Sequence, residues 1–329
     1  MELLDQIRAE IGPQYVLTGD ETAAWSRDWM NAYQWAPMAV VRPNSTAQVS
    51  AIASACSAAN VAMVPVGGHT GLTGATKADD AIMISMDRMN KIREIKPNAQ
   101  IAIVEAGAIL HSIHEAVDAH DLVFPLFFGA RGSAMIGGNL STNAGGSNVL
   151  KYGNTRDLCL GLEVVLADGR IMNLMSELRK DNTGLDLKHM FIGAEGTLGI
   201  ITAAVLKLNR KPLTYTTAMV GMDKLANALP LLNRLQNETG NGVEAFEFMP
   251  RRYIERHIAH IEGAQDPFPE PHEVTILVEV STTRASDLMP DDAGTPKLQG
   301  ILETALMDMI EAGTAQDAVI AQNEAQRRT

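Results

Sequence analysis

Residues 125–153 read PLFFGARGSAMIGGNLSTNAGGSNVLKYG. Gly129, Gly132, Gly137, Gly138, Gly145, Gly146 and Gly153 alternate there with small polar residues, and charge is almost absent. Glycine has no side chain to bury and loses the most backbone freedom on folding, so this stretch is not expected to build a core. It suits a backbone that lies close against another molecule. To that molecule it offers bare N–H groups and the short side chains of Ser133, Thr142, Asn143 and Ser147. A large, flat, phosphate-bearing cofactor fits the description, and the rest of the chain reads as its frame.

That frame is 329 residues long, 46% hydrophobic and 20% charged, enough for roughly two globular domains. Net charge is −12 and no Lys/Arg cluster forms a basic face, which argues against nucleic acid or an anionic membrane as partner. Cys56 and Cys159 sit apart among apolar residues without framework or metal spacing, and read as buried free thiols of a reducing compartment. The opening MELLDQIRAEIG is acidic and amphipathic, with no apolar run of signal-peptide length, so a cytoplasmic protein is expected. No segment has the length and apolarity of a membrane span.

Upstream, Met38–Arg42 is a strand closed by Pro43, and Asn44-Ser45-Thr46 supplies a helix cap, with Thr46 the expected N-cap residue. Val49, Ile52, Ala53 and Cys56 recur at helical spacing, and Val61–Val66 returns as a strand. This strand–helix–strand implies a parallel pair with a right-handed crossover. The second strand runs into Gly67-Gly68-His69-Thr70-Gly71-Leu72-Thr73-Gly74-Ala75. Neither GxGxxG nor a closing Gly-Lys-Ser/Thr is present. Consecutive N–H groups of such a loop can form an anion nest; a plain tight connection accounts for it equally well.

Further on, residues 81–86 and 100–107 read as strands and 109–120 as a helix. His111 and His114 on that helix, with Glu115, lack the second histidine of a zinc motif and read as a solvated face; His257 and His260 beside Arg251, Arg252 and Arg256 read the same way. No metal site is expected. Residues 161–172 form a hairpin around Asp168-Gly169. Glu195 stands alone in a neutral glycine turn, either as a carboxylate taking nearby backbone N–H bonds or as a cofactor contact.

Seven motifs, in order, carry a resemblance: Pro65-Val-Gly-Gly-His-Thr-Gly-Leu-Thr-Gly, Gly129-Ala-Arg-Gly-Ser-Ala-Met-Ile-Gly-Gly-Asn, Thr142-Asn-Ala-Gly-Gly, Lys151-Tyr-Gly, Leu162-Glu-Val-Val-Leu-Ala-Asp-Gly, Arg179-Lys-Asp-Asn-Thr-Gly and Glu195-Gly-Thr-Leu-Gly-Ile-Ile-Thr. From about Ala36 onward the chain resembles the FAD-linked 2-hydroxy-acid dehydrogenases of the vanillyl-alcohol-oxidase type. These include D-2-hydroxyglutarate dehydrogenase, D-lactate dehydrogenase and the glycolate oxidase flavoprotein subunit. The Lys-Asp-Asn-Thr-Gly loop and the Ala245-Phe-Glu-Phe-Met run bring it nearest the D-2-hydroxyglutarate branch.

The resemblance implies an α+β fold. A two-subdomain FAD-binding domain would span residues 1–210, with a helical lead-in at 1–35, and a partial, ferredoxin-like cap domain would follow at 211–329. It implies non-covalently bound FAD. The loop Gly67–Ala75 would cradle the pyrophosphate by backbone N–H groups, with Gly67, Gly68, His69, Thr70, Gly71, Leu72 and Gly74 as cofactor contacts, and Pro65 and Val66 just before it would also bind the cofactor. Pro125, Gly129, Ser133, Ile136, Gly137, Gly138, Thr142, Asn143, Gly146 and Tyr152 would run along the cofactor toward the ring. Glu195, Gly196, Gly199, Ile200 and Ile201 would close the opposite side. In the cap, strands at 214–220, 243–249 and 274–280 alternate with helices at 224–238, 251–260 and 296–310, with surface loops at 263–271 and 291–296. About three strands leave an exposed edge, which would favour a homodimer.

Three departures stand out. Leu185 replaces a usual aromatic and Ala75 a frequent glycine. His69 stands where near relatives carry a non-linking residue such as Asn, and more distant flavoproteins a flavin-bonded His. Finally, the family's carboxylate-gripping arginine helix, its Gly-His-x-Gly-Asp-Gly-Asn segment and its Glu-His-Gly segment are absent from these residues. With them go the metal ligands and the proton-abstracting histidine, so no catalytic residue is named. The expected reaction is oxidation of a small D-2-hydroxy acid to the 2-oxo acid, with electrons passed to a separate acceptor, by a C-terminally shortened chain. The alternative is an FAD-binding module or subunit without chemistry of its own.

Overall fold

The computed structural model describes residues 2–292 and 294–328, and of Ala325 and Arg328 the backbone alone; Ala293, inside the 291–296 loop, lies outside the described residues. The chain forms two compact units. One comprises Met1–Gly146 and Asn154–Arg210; the other takes Lys211–Thr329 together with the short segment Ser147–Gly153.

The first unit opens with α1 (Leu3–Ile11), which buries Ile7 and Ile11. Its first sheet has the order β1 (Val16–Leu17), β2 (Ala39–Val41), β4 (Ile82–Ser85), β3 (Met63–Val66). Both β2 and β3 run parallel to β4, and β1 pairs antiparallel with β2. The expected parallel relation between β2 and β3 therefore passes through β4, inserted between them. The connecting helix α2 (Thr46–Ala58) buries Val49, Ile52, Ala53 and Cys56. Its N-cap is Ser45, whose Oγ accepts the N–H of Gln48 at 3.3 Å, and not Thr46. The Thr46 hydroxyl is taken by a tertiary partner, donating to Glu163 at 2.5 Å.

A second sheet is built from β5 (Ile92–Lys96), β6 (Ile101–Glu105), β8 (Cys159–Val165), β9 (Ile171–Leu174) and β10 (Ile200–Lys207), with β7 (Leu122–Val123) and β11 (Asn209–Arg210) outside it. Its order is β5-β6-β10-β8-β9, antiparallel throughout, and β7 pairs separately with β11. The β8–β9 hairpin turns at Gly169, with φ of 89°. Helix α3 (Leu110–Asp118) buries Leu110, Ile113 and Val117.

The glycine stretch is less open than its composition implies. It holds a helix, α4 (Ile136–Ser141), because Ile136 and Leu140 fall one turn apart and both bury fully. A second one, α5 (Val149–Tyr152), lies in the segment that belongs to the other unit. Downstream α6 (Lys188–Phe191) buries Phe191.

The second unit is one antiparallel sheet of β12 (Thr214–Met222), β13 (Val243–Pro250), β14 (Val274–Thr282) and β15 (Asp317–Ile320), in the order β13-β14-β12-β15. With α7 (Ala228–Thr239) and α9 (Lys297–Glu311) as crossovers, this is the ferredoxin-like order. α8 (Arg251–His260) follows β13. Three strands are legible from the sequence; the structure has a fourth, β15, short and half-buried. Along β14, Ile276, Val278 and Val280 pack with Leu231, Leu235 and Leu302 in the core. Alternation places Glu279 and Ser281 on the opposite face. There the carboxylate of Glu244, 2% exposed, accepts from Lys151 Nζ at 3.0 Å, Tyr152 OH at 2.7 Å, Ser281 Oγ at 2.7 Å and Asn148 Nδ2 at 3.1 Å. Four donors satisfy a buried charge and fasten Ser147–Gly153 to this sheet.

Candidate cofactor cavity

Strand β3 delivers the chain at Val66 to the glycine loop. Among the described residues no acceptor takes the backbone N–H of any residue from Gly67 to Thr73, or that of Gly138 in the first turn of α4. Backbone donors are normally paired, so a run of unpaired ones needs an outside acceptor, whether water or ligand. All of these residues except Leu72 line a cavity of about 350 Å³.

Of the residues expected at the site, Pro65, Val66, Gly67, Gly68, His69, Thr70, Gly71, Gly137, Gly138, Thr142, Glu195, Gly196, Ile200 and Ile201 line this cavity. Others stand back from its wall. Leu72 is exposed, Gly74 lies against Tyr33, and Pro125 and Ile136 are buried. Gly129 borders open space, and Gly146 meets the carbonyl of Phe127. Asn143 accepts the N–H of Arg156 at 3.0 Å through its side chain. Gly199 lines a neighbouring cavity of about 450 Å³. Tyr152 is in the second unit, its hydroxyl on Glu244. Thr73, Ala75, Ala134, Met135, Asn139, Ala144 and Gly145, which belong to the glycine loop or the quoted motifs, also line the cavity, as do Thr76, Met86, Phe128 and Ser141. Met86, at the end of a strand, comes with no local signal beyond position.

Two glycines that look alike in sequence differ here. A Cβ on Gly138 would meet nothing within 4 Å, so the residue faces open cavity. A Cβ on Gly68 would lie 2.0 Å from the carbonyl oxygen of Ser133. Gly68 thus lets two segments of the chain touch, and Ser133 takes part through its backbone.

His69, Asn143 and Glu195 all adopt left-handed φ, at 55°, 48° and 52°. Such angles are strained for His and Glu and easier for Asn. The N–H of Glu195 donates to Ser141 at 2.8 Å. No N–H is donated to the Glu195 carboxylate among the described residues, so the turn-stabilising reading of that side chain is not realised. Burial lowers the His69 imidazole below its ordinary range, partly offset by Asp28.

His114 departs from expectation. It is half-buried, stacked on Phe127 at 4.5 Å, and desolvation, with help from Arg131 and His111, pushes it down to about 4. His111, His257 and His260 are exposed. No cluster of three or more His, Cys, Asp or Glu fit for a metal occurs among the described residues, and none of their helices is long and apolar enough to cross a membrane. Cys56 and Cys159 are buried free thiols.

The donor set fits FAD. Acceptorless amides and small side chains suit a diphosphate, and the open space over Gly71 and Gly138 leaves room for a ligand in close backbone contact. Comparison with known proteins agrees. Residues 37–175 match the family described as FAD binding domain. The chain is 38% identical over 309 residues to a rice (Oryza sativa subsp. indica) protein named probable D-2-hydroxyglutarate dehydrogenase, mitochondrial, covering 93% of this chain and 54% of the relative. It is 35% identical to a D-2-hydroxyglutarate dehydrogenase of Xanthomonas citri pv. viticola, covering 92% and 61%. The chain therefore spans between about half and three-fifths of these curated relatives. Among solved structures, an alkyldihydroxyacetonephosphate synthase superimposes with TM-score 0.75 at 18% identity, covering 99% of this chain and 62% of that one. A p-cresol methylhydroxylase does so with TM-score 0.70 at 17% identity, covering 99% and 67%. These two likenesses are of fold.

Proposed function

Since the chain belongs with the FAD-binding flavoproteins and is homologous to the D-2-hydroxyglutarate dehydrogenases, we propose that its first unit holds FAD without a covalent bond and serves oxidation of a D-2-hydroxy acid to the 2-oxo acid. The observation that carries this reading is the run of acceptorless amides from Gly67 to Thr73 along the cavity. FAD, when bound, supplies the acceptor for the substrate's hydride. The chain's own part is to hold and shield. The amides of Gly67–Gly71, Thr73 and Gly138 would donate to phosphate oxygens, while Val66, Met86, Met135, Ile200 and Ile201 would give the cavity apolar walls. Neutral donors stabilise the diphosphate without adding titrating groups. D-2-hydroxyglutarate is the preferred substrate, with D-lactate, D-malate and glycolate as members of the same class, and a separate molecule takes the electrons.

One observation favours a second reading, an FAD-binding module that does no chemistry alone. No Arg or Lys lines the cavity to hold a substrate carboxylate, and its ionisable lining consists of His69 and Glu195. Purified chain is expected to be yellow, and acid precipitation to release FAD, not FMN, into the supernatant. Anaerobic mixing with each hydroxy acid should leave the flavin absorbance unbleached. Rapid bleaching by any of them would overturn the module reading, and a chain that stays colourless in excess FAD would overturn both.

A further inference from the structure

Three polar atoms behind the glycine loop have no partner. Asp28 is 3% exposed and Trp35 6% exposed, yet Asp28 Oδ2 and Trp35 Nε1 bond to nothing, and the buried Nε2 of His69 is equally alone. They belong to one place. The Trp35 and His69 rings lie 5.7 Å apart, and the Asp28 carboxylate acts on the imidazole, favouring its charged form. Asp28 is itself held, its Oδ1 accepting the N–H of Tyr33 at 2.8 Å. Buried polar groups are paired in most proteins, so three unpaired ones together call for a reason.

His69 also lines the cavity from within the run of acceptorless amides. It thus stands between a buried carboxylate and the place assigned to the diphosphate. We propose that His69 takes up one proton when a dinucleotide diphosphate fills the loop, its Nε2–H then donating to Asp28 Oδ2 while the imidazolium's charge faces the phosphates. This rests on the FAD reading above and adds to it a linkage between binding and pH. The ionisable group bearing on the imidazole is Asp28 from the lead-in, and Glu195 is the other ionisable residue that lines the same cavity. An anion beside the ring raises its proton affinity above that of the empty loop, where burial favours the neutral form. The sign follows. FAD affinity is greatest and flat below the His69 pKa of the empty loop. It falls by up to about tenfold per pH unit as pH rises toward the pKa of the filled loop, then levels.

The test is calorimetric titration of flavin-free chain with FAD between pH 5.5 and 8.5, in a pair of phosphate-free buffers at each pH. Buffers of different ionisation enthalpy report proton uptake directly, without any variant. His69→Asn keeps a residue tolerant of left-handed φ and should abolish both the uptake and the pH dependence. Asp28→Asn keeps an acceptor for Tyr33 N–H and should move the fall in affinity to lower pH. FAD binding that is pH-independent and buffer-independent in the wild type, or an uptake that survives in His69→Asn, overturns the proposal and leaves the FAD assignment standing. No FAD binding at any pH would instead refute the assignment beneath it.

Discussion

Substituting Gly68 and Gly138 separately by alanine should damage the protein in opposite ways. At Gly68 the new methyl would sit 2.0 Å from Ser133 O and 2.9 Å from Ala134 Cα, both backbone atoms that cannot swing aside. Overpacking of that kind costs about 1–3 kcal/mol. In a unit of this size each kcal/mol moves the melting temperature by about 2–4 °C, so Gly68→Ala should melt roughly 2–12 °C lower. Gly138 lies inside α4 with nothing within 4 Å of its would-be Cβ. Alanine is the better helix former by about 1 kcal/mol, so flavin-free Gly138→Ala should melt at or above the wild type. Its methyl would nevertheless stand in the cavity, and FAD should bind at least about tenfold more weakly, the equivalent of 1.4 kcal/mol of crowding. Differential scanning fluorimetry of the flavin-free proteins and fluorescence titration with FAD separate the two effects. A Gly138→Ala protein that melts lower but binds FAD normally would refute the cavity assignment, since the residue would then be structural.

Glu244→Ala strands Lys151, Tyr152, Asn148 and Ser281 together, and should cost the second unit about 3–5 kcal/mol in urea unfolding, with Glu244→Gln losing less because it keeps one acceptor oxygen. Trypsin should spare the bond after Lys151 in the whole chain but cut it in a fragment of residues 1–210, which lacks Glu244; equal cutting in both would contradict the division into units. His114 has a folded-state pKa of about 4 against 6.5 unfolded, so the unfolded chain binds more protons between those values and stability should fall as pH drops through them. His114→Gln should flatten that part of the pH–stability profile, measured by denaturant midpoint.

Long, patterned elements were legible in the sequence and crowded or tertiary ones were not. The strands flanking α2 and the β8–β9 hairpin announce themselves by apolar runs, a proline stop and an Asp-Gly turn. The capping residue of α2 does not, because Asn44, Ser45 and Thr46 are all competent caps and the choice falls to a bond between Thr46 and Glu163, 117 positions away. Helix α4 hides in a glycine-rich run because two buried residues, Ile136 and Leu140, outweigh the poor helix propensity around them. Strand β15 is four residues long, too short to show alternation clearly. Within the site, the ordered motifs contain most of the residues that line the cavity. It could not tell a glycine that admits a ligand from one that admits another stretch of chain, since both need only the missing Cβ. The ring of donors around Glu244 left no local trace, because its members lie 37 to 96 residues from that carboxylate.

The segment Ser147–Gly153 also sets a schedule for synthesis. Lys151 leaves the ribosome 93 residues ahead of Glu244 and 130 ahead of Ser281, the partners that receive it. At translation rates of about 5–20 residues per second, roughly 6–26 s pass before the last of them emerges. Throughout that interval the nascent first domain carries a lysine, a tyrosine and an asparagine with no home, in the middle of its own sequence. Its earliest folded form must therefore leave that loop outside, as a hook to be caught when the later strands arrive. Slowing translation between codons 154 and 281 should lengthen the hook's exposure, in proportion, to any protease or chaperone waiting at the exit.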